Sequence, residues 1–134
     1  MDCKLHKLVA DVAVFAAGQV LLVRYHDVSR YDGQRGWFLP DDYLDTGEHP
    51  DSAASRILAE QAGQAPQLSH IESLSNGAWH LICHYVTTLD APMPVAPTGN
   101  VAAAEWFPLD ALPPRSEIAH DGWAIEVLDA LILS

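Results

Sequence analysis

Two apolar runs open the chain. His6 to Ala17 (HKLVADVAVFAA) is rich in β-branched and small residues, and Val20 to Tyr25 (VLLVRY) follows just after Gly18-Gln19. Apolar runs flanking a short glycine-containing turn predict a β-hairpin. The polar stretch His26 to Arg35 reads as a loop, with Asp32-Gly33 as its turn signal. Trp37-Phe38-Leu39 predicts a short strand ended by Pro40. Tyr43 to Asp45 predicts a second short extended piece, closed by Thr46-Gly47.

The pattern then changes period. Ala53, Ala54, Ile57, Leu58 and Ala62 share one side of a helix that begins at Pro50 and stops at Gly63. Pro50 suits a first helical position, and Asp51 suits the positive end of the helix dipole. Leu68 to Ser75 and Ala78 to Leu89 flank Asn76-Gly77 and predict a second hairpin. The proline-rich Ala91 to Pro97 reads as a surface loop, Val101 to Phe107 as a strand and Pro108 to Pro114 as a turn region. From about Ala119, the residues Trp123, Val127, Leu128, Leu131 and Ile132 recur at helical spacing. Strands, helix, strands, helix in that order predict an α+β fold, a mixed sheet sandwiched between two helices, as a single domain over residues 1–134.

Composition narrows the partners. The 134 residues carry a formal net charge of −11. That argues against nucleic acid and against anionic membrane surfaces, both of which need clustered Lys and Arg. A phosphorylated small molecule stays compatible if a metal ion reverses the local sign. Cys3 and Cys83 have no metal-knuckle or disulfide spacing, so a reducing, cytoplasmic location is expected. Leu8 to Ala17 loosely resembles a signal-peptide core, but Asp11 interrupts it and a strand follows at once, so no leader is expected.

Candidate chemistry concentrates between Gly36 and Gln64. Asp41, Asp42, Asp45 and Glu48 precede a helix carrying Arg56 and Glu60, a set suited to a hard divalent cation. The histidines are scattered. His80 and His84 would stand about 13 Å apart along one strand, too far for one ion, so no histidine metal site is expected. Cys83, among apolar neighbours, reads as a small buried hydrophobe, and Trp106, Phe107 and Trp123 as core. Tyr25, Tyr31, Trp37, Phe38 and Tyr43 are open to two readings, stacking on a ligand base or packing. No GxSxG, Walker loop or dinucleotide GxGxxG is present.

The stretch resembles the Nudix box, GX5EX7REUXEEXGU with U aliphatic. Glu48 falls on the first glutamate, Arg56 on the arginine, Glu60 on the first of the paired glutamates and Gly63 on the late glycine. Trp37-Phe38-Leu39-Pro40 resembles the entry to the box, and Glu105 to Pro113 (EWFPLDALP) resembles the segment before the last helix. The resemblance covers nearly the whole chain and implies a Nudix-like α/β/α sandwich. Several positions depart from the pattern. Asp42 stands at the first glycine, Ile57 at the glutamate after the arginine, Gln61 at the second of the paired glutamates and Gln64 at the closing aliphatic position.

What the resemblance implies is a metal-dependent hydrolase of the pyrophosphate bond in a nucleoside diphosphate linked to another moiety. Glu60, Glu48 and Arg56 would be the catalytic set, with Arg56 shaping the loop. Glu60, Asp42, Glu48 and Glu105 would hold Mg²⁺ or Mn²⁺. Arg24, Tyr25, Trp37 and Tyr43 are the candidate substrate-binding residues, for a small nucleotide-type ligand. Homodimerisation is the default expectation. Positions 57, 60 and 61 share a helix face, and only Glu60 keeps a carboxylate there, so metal should be held weakly and catalysis weakened or altered. Asp41 and Asp42 either resupply the lost charge or form a solvated turn. The alternative is an inactive ligand-binding or sensor module on the same fold.

Overall fold

The computed structural model describes residues 7–29, 33–63, 68, 71–76 and 80–133. Cys3, His6, Tyr31, Asp32, Gln64 and Gly77, named above, lie outside the described residues. The strands are β1 (Lys7–Ala16), β2 (Gln19–Tyr25), β3 (Asp41–Tyr43), β4 (Ile71–Asn76), β5 (His80–Leu89) and β6 (Val101–Pro108). The helices are α1 (Pro50–Ala62) and α2 (Ala119–Leu133), the latter preceded by a short 3₁₀ turn at Arg115–Glu117.

The sheet is mixed and runs β4-β5-β1-β2-β6, with β3 added beside β1. β1 pairs parallel with β5 along its whole length, and the other pairings are antiparallel. On its opposite edge β1 is shared. Its last residues hold β2 (Phe15↔Val20), and Val9 to Asp11 hold β3. Where β2 peels away, the segment 37–40 fills the gap. Phe38 exchanges two hydrogen bonds with Val23, and Pro40 accepts one from the Val12 N–H.

That geometry corrects two expectations. Trp37 to Leu39 makes isolated bridges to two different neighbours, Val23↔Phe38 and Trp37↔Ile118, and no continuous strand. The second extended piece lies earlier, at Asp41–Tyr43, because the free edge of β1 captures it. Asp41 and Asp42 are therefore strand residues and do not form a solvated turn.

Each face of the sheet carries one helix. Ala10, Val12, Val14, Leu21, Cys83 and Tyr85 bury one face against Ala53, Ala54, Ile57, Leu58 and Ala62 of α1. Ala13, Val20 and Leu22 bury the other against Ala124, Val127 and Leu128 of α2. This is the α+β sandwich expected from the pattern. Strand alternation explains the division, since successive side chains leave opposite faces. Trp106 packs against the α1-side core, and Phe107 and Trp123 against the α2-side core, each only partly buried where full core burial was expected.

The ends of α1 are well fastened. His49 caps it by accepting the Asp51 N–H on Nδ1 (3.1 Å), and Pro50 takes the first helical position. Gly63 closes it with φ 67° and its N–H on the Leu58 carbonyl. Tyr85 of β5 donates to Asp51 Oδ1 (2.5 Å), tying the first turn to the sheet. α2 starts less regularly. His120, Asp121 and Gly122 are left-handed (φ 53°, 54° and 86°), and Arg115 Nη1 donates to the Asp121 carbonyl at this bend (2.7 Å). No helix among the described residues is long and apolar enough to cross a membrane.

Candidate functional site

Arg56 organises the segment between β3 and α1. Its Nε and Nη2 donate to the two oxygens of Glu48 (2.9 and 3.0 Å), a bidentate pair. Nη2 also donates to the Tyr43 carbonyl (2.9 Å) and Nη1 to Glu60 Oε2 (3.3 Å). Asp42 Oδ2 and Asp45 Oδ2 complete the circle at 3.6 and 3.8 Å. Glu48 in turn accepts the Asp45 N–H (2.9 Å), which closes the turn before the helix. The guanidinium hydrogen bonds and charge hold the Glu48 carboxyl below its ordinary range. Arg56 itself is held more firmly charged than an ordinary arginine by the same pairing. One planar cation thus gathers Asp42, Asp45, Glu48 and Glu60.

The helix face that sequence geometry assigned to positions 57, 60 and 61 is split in two. Ile57 is 0% exposed and Gln61 6%, both turned into the core, whereas the Glu60 side chain is 57% exposed. Ile57 packs between Ala53 and Leu58 and the α1 face of the sheet. Gln61 has a defined polar role. Its Nε2 donates to the Asp41 carbonyl (2.8 Å), and its Oε1 accepts the Tyr25 hydroxyl (2.9 Å). The same hydroxyl lies 3.1 Å from Asp41 Oδ1 and accepts the Asp41 N–H (3.2 Å). A neutral amide suits this position because it supplies a donor to a carbonyl beside a carboxylate.

A glutamate at 61 would lose that donor and face the Asp41 carbonyl and carboxylate. Gln61→Glu is therefore expected to cost about 1–3 kcal/mol in chemical denaturation, and to confer no Mn²⁺ binding in calorimetric titration. A more stable variant, or one that binds Mn²⁺, would contradict the assigned role.

Beside this network opens a cavity of about 420 Å³, within the range of small-molecule sites. Tyr25, Asp42, Glu60 and Gln61 form one wall. Asp27 and the segment from Thr98 to Val101 form the other. The second wall is fastened by reciprocal hydrogen bonds. Asn100 Oδ1 accepts the Asp27 N–H (2.8 Å), and Asn100 Nδ2 donates to the Asp27 carbonyl (2.7 Å). The Thr98 hydroxyl donates to the Glu60 carbonyl, latching this segment to α1. Asp27, Thr98 and Asn100 were not among the anticipated residues, since the Asp27–Asn100 pairing spans 73 residues and the Thr98–Glu60 contact 38, which leaves no local signal.

Of the anticipated residues, Asp42, Glu48, Glu60 and Arg56 come together, with Tyr25 across the cavity from Thr98. Glu105 does not join them. It pairs in register with Leu22, so alternation sets it on the α2 face, exposed and away from Glu60. Trp37 does not line the cavity either. It is 9% exposed and meets Phe107 edge-on at 4.9 Å, so it belongs to the core. Arg24 lies over the Trp37 ring at 5.4 Å, on the α2 side. Tyr43 contributes its carbonyl to Arg56, while its side chain alternates away from that of Asp42.

The donor set does not fit a divalent ion. Mg²⁺ needs carboxylates with oxygens directed at a common point, yet those near α1 are directed at Arg56. Among the described residues, no three His, Cys, Asp or Glu side chains form a metal-holding group. Ile57 offers no ligand, and both functional groups of Gln61 are committed.

The family model for the NUDIX domain matches residues 5–130. No curated protein matches the chain. Among solved structures it is similar to a NUDIX hydrolase from Nitrosomonas europaea, with TM-score 0.71 and 17% identity. That match covers 88% of this chain and 65% of the other, so the chain spans just under two thirds of that protein's length. It is similar to an ADP-ribose pyrophosphatase from Streptococcus suis, with TM-score 0.70 and 22% identity over 95% of this chain and 89% of the other. It is also similar to an Ap4A hydrolase from C. elegans, with TM-score 0.67 and 18% identity over 95% and 98%. Identities this low bear on the fold alone.

Proposed function

Since the chain belongs to the NUDIX family, we propose that it is a domain of that family that binds a nucleotide-type small molecule, with metal-dependent pyrophosphate hydrolysis lost or severely weakened. One observation carries this reading: Ile57 and Gln61 are buried and used structurally where the box pattern has carboxylates. Similar structures described as an ADP-ribose pyrophosphatase and an Ap4A hydrolase support a nucleotide-type ligand. The cavity between α1 and the 98–101 segment is the proposed place for it.

A second reading keeps a slow hydrolase, favoured by Asp42 and Glu60 standing on the wall of one cavity with Glu48 close by. It requires Arg56 to release these carboxylates to a weakly held Mg²⁺ or Mn²⁺. The two readings separate in one assay. Nucleotide sugars, dinucleoside polyphosphates and nucleoside triphosphates are incubated with and without Mn²⁺, and release of monophosphate or phosphate is followed beside thermal stabilisation. The binding reading expects stabilisation by at least one compound and no turnover. Turnover that Glu60→Gln abolishes would replace it with the hydrolase.

A further inference from the structure

The outer wall of the cavity is made of two chain segments fastened to each other. The His26 N–H donates to the Asn100 carbonyl (2.8 Å). The Asn100 side chain takes both backbone groups of Asp27, accepting its N–H on Oδ1 (2.8 Å) and donating from Nδ2 to its carbonyl (2.7 Å). Asp27 Oδ1 then accepts the Ser29 N–H (2.9 Å), which carries the unit on to residue 29. The Val101 N–H closes a turn onto the Thr98 carbonyl (3.0 Å), with Gly99 left-handed at φ 58°. Where this unit joins the sheet, the ladder is broken. β2 and β6 pair evenly from Gln19↔Pro108 to Arg24↔Ala103, then slip by one residue so that Tyr25 faces Val101. A bulge of this kind interrupts the ladder and bends the strand. At the other end Val95 packs against the α1-side core, and Pro92, Pro94 and Pro97 stiffen the approach. Asp27, Ser29 and Thr98 to Asn100 are exposed. Hydrogen bonds at exposed positions with little apolar burial mark segments that open locally. The Thr98 hydroxyl ties the unit to the opposite wall through the Glu60 carbonyl.

We propose that residues 26–29 and 98–100 are one hinged lid over the cavity, cross-linked by Asn100, bending at the bulge between β2 and β6 and latched to α1 by the Thr98 hydroxyl. The facing wall stays in place. Gln61 is held by α1 and by its bond to the Asp41 carbonyl, and Asp41 belongs to β3. Thr98 and Asn100 are positioning residues with different tasks. The Thr98 bond sets the balance between open and closed, and the Asn100 bonds make the two segments move together. In the binding reading above, on which this role rests, opening admits the ligand and closure holds it. One neutral hydrogen bond is a weak latch. The open form is therefore a populated minor state, exchanging on the microsecond-to-millisecond scale usual for lids.

The test is NMR relaxation dispersion of the backbone amides in the ligand-free full chain. The amides of His26, Asp27, Ser29, Gly99, Asn100 and Val101 should show exchange with one shared rate. Those of Val23 and Phe38, which lie on the sheet side of the bulge, should show none. Thr98→Val should raise the open-to-closed ratio roughly fivefold, as loss of one hydrogen bond implies, with the melting temperature unchanged. It should do so even at Asp27 and Ser29, whose N–H groups go to Asn100 and Asp27. Thr98→Ser keeps the hydroxyl and should keep the wild-type ratio. Asn100→Ala should uncouple the segments, giving 26–29 and 98–101 different rates. Flat profiles in the wild type, different rates for the two segments in the wild type, or a Thr98→Val effect confined to 98–101 would overturn the lid. No ligand enters the measurement, so such a result leaves the binding reading standing. That reading fails instead if no nucleotide-type compound stabilises the protein.

Discussion

His84→Leu is expected to destabilise the protein by about 3–5 kcal/mol. His84 and Asp11 are register partners on the central strands β5 and β1, with Nδ1 and Oδ1 2.6 Å apart. They are 2% and 1% exposed, and Trp123 of α2 lies against the imidazole at 5.7 Å between ring centres. Asp11 Oδ2 has no hydrogen-bond partner among the described residues, so the imidazole is the main compensation for the buried carboxyl. Removing it strands Asp11, whereas the double variant Asp11→Leu/His84→Leu removes both polar groups and should recover most of the loss. Urea denaturation of the two single variants and the double measures this. A double variant as unstable as the sum of the singles would show that the pair is not coupled.

Burial pushes the Asp11 carboxyl above its ordinary value, against the opposing hydrogen bond and charge of His84. The folded state therefore holds this proton more tightly than the unfolded state. The resulting stabilisation is full below the ordinary carboxylate pKa and is lost as pH rises through the folded value. Asp11→Asn removes this dependence. The stability difference between wild type and Asp11→Asn should move against the wild type as pH is raised from that range.

The second large effect is at Arg56. Arg56→Lys keeps the charge but loses the fork that serves both Glu48 oxygens and the Tyr43 carbonyl. A loss of about 2–3 kcal/mol is expected from its charge-assisted hydrogen bonds, with Arg56→Met at least as damaging. Glu48 adds a pH signature. Its carboxyl is lowered chiefly by the Arg56 hydrogen bonds, so this stabilisation is present above the ordinary carboxylate range and lost as pH falls through the depressed value. In Arg56→Lys the acid transition should shift to higher pH. An unchanged acid transition and a loss below about 0.5 kcal/mol would reduce Arg56 to an ordinary surface ion pair.

Much of this architecture is legible in the sequence, for physical reasons. The apolar period, Pro50 and Gly63 identify α1 to within a residue, and alternation gives β1, β2 and their hairpin. The placement of Asp41 and Asp42 was not legible. Aspartate is depleted in strands, and only the free edge of β1 where β2 departs makes one here. Gln61 looks like a lost ligand along the chain. Its partner Tyr25 lies 36 residues earlier, and only the fold brings the two together. Some misses had a signal. Asp11 falls on the inward-facing alternation of an apolar strand, where a carboxyl needs a buried partner, and His84 sits likewise in β5. Glu105 next to the core residue Trp106 must leave the opposite face of the sheet, which alternation alone would have shown. Nothing in the sequence announces the left-handed turn at His120 and Asp121.

Arg56 gathers the carboxylates of this box in the place a divalent ion would take. A titration of the intact protein with Mn²⁺, followed by the electron paramagnetic resonance of the free ion, tests it most directly. The free-ion signal is expected to rise linearly with no saturable site, the same in wild type and in Glu60→Gln. A saturable site in the wild type that Glu60→Gln removes would contradict it, and would return Asp42, Glu48 and Glu60 to the role of metal ligands.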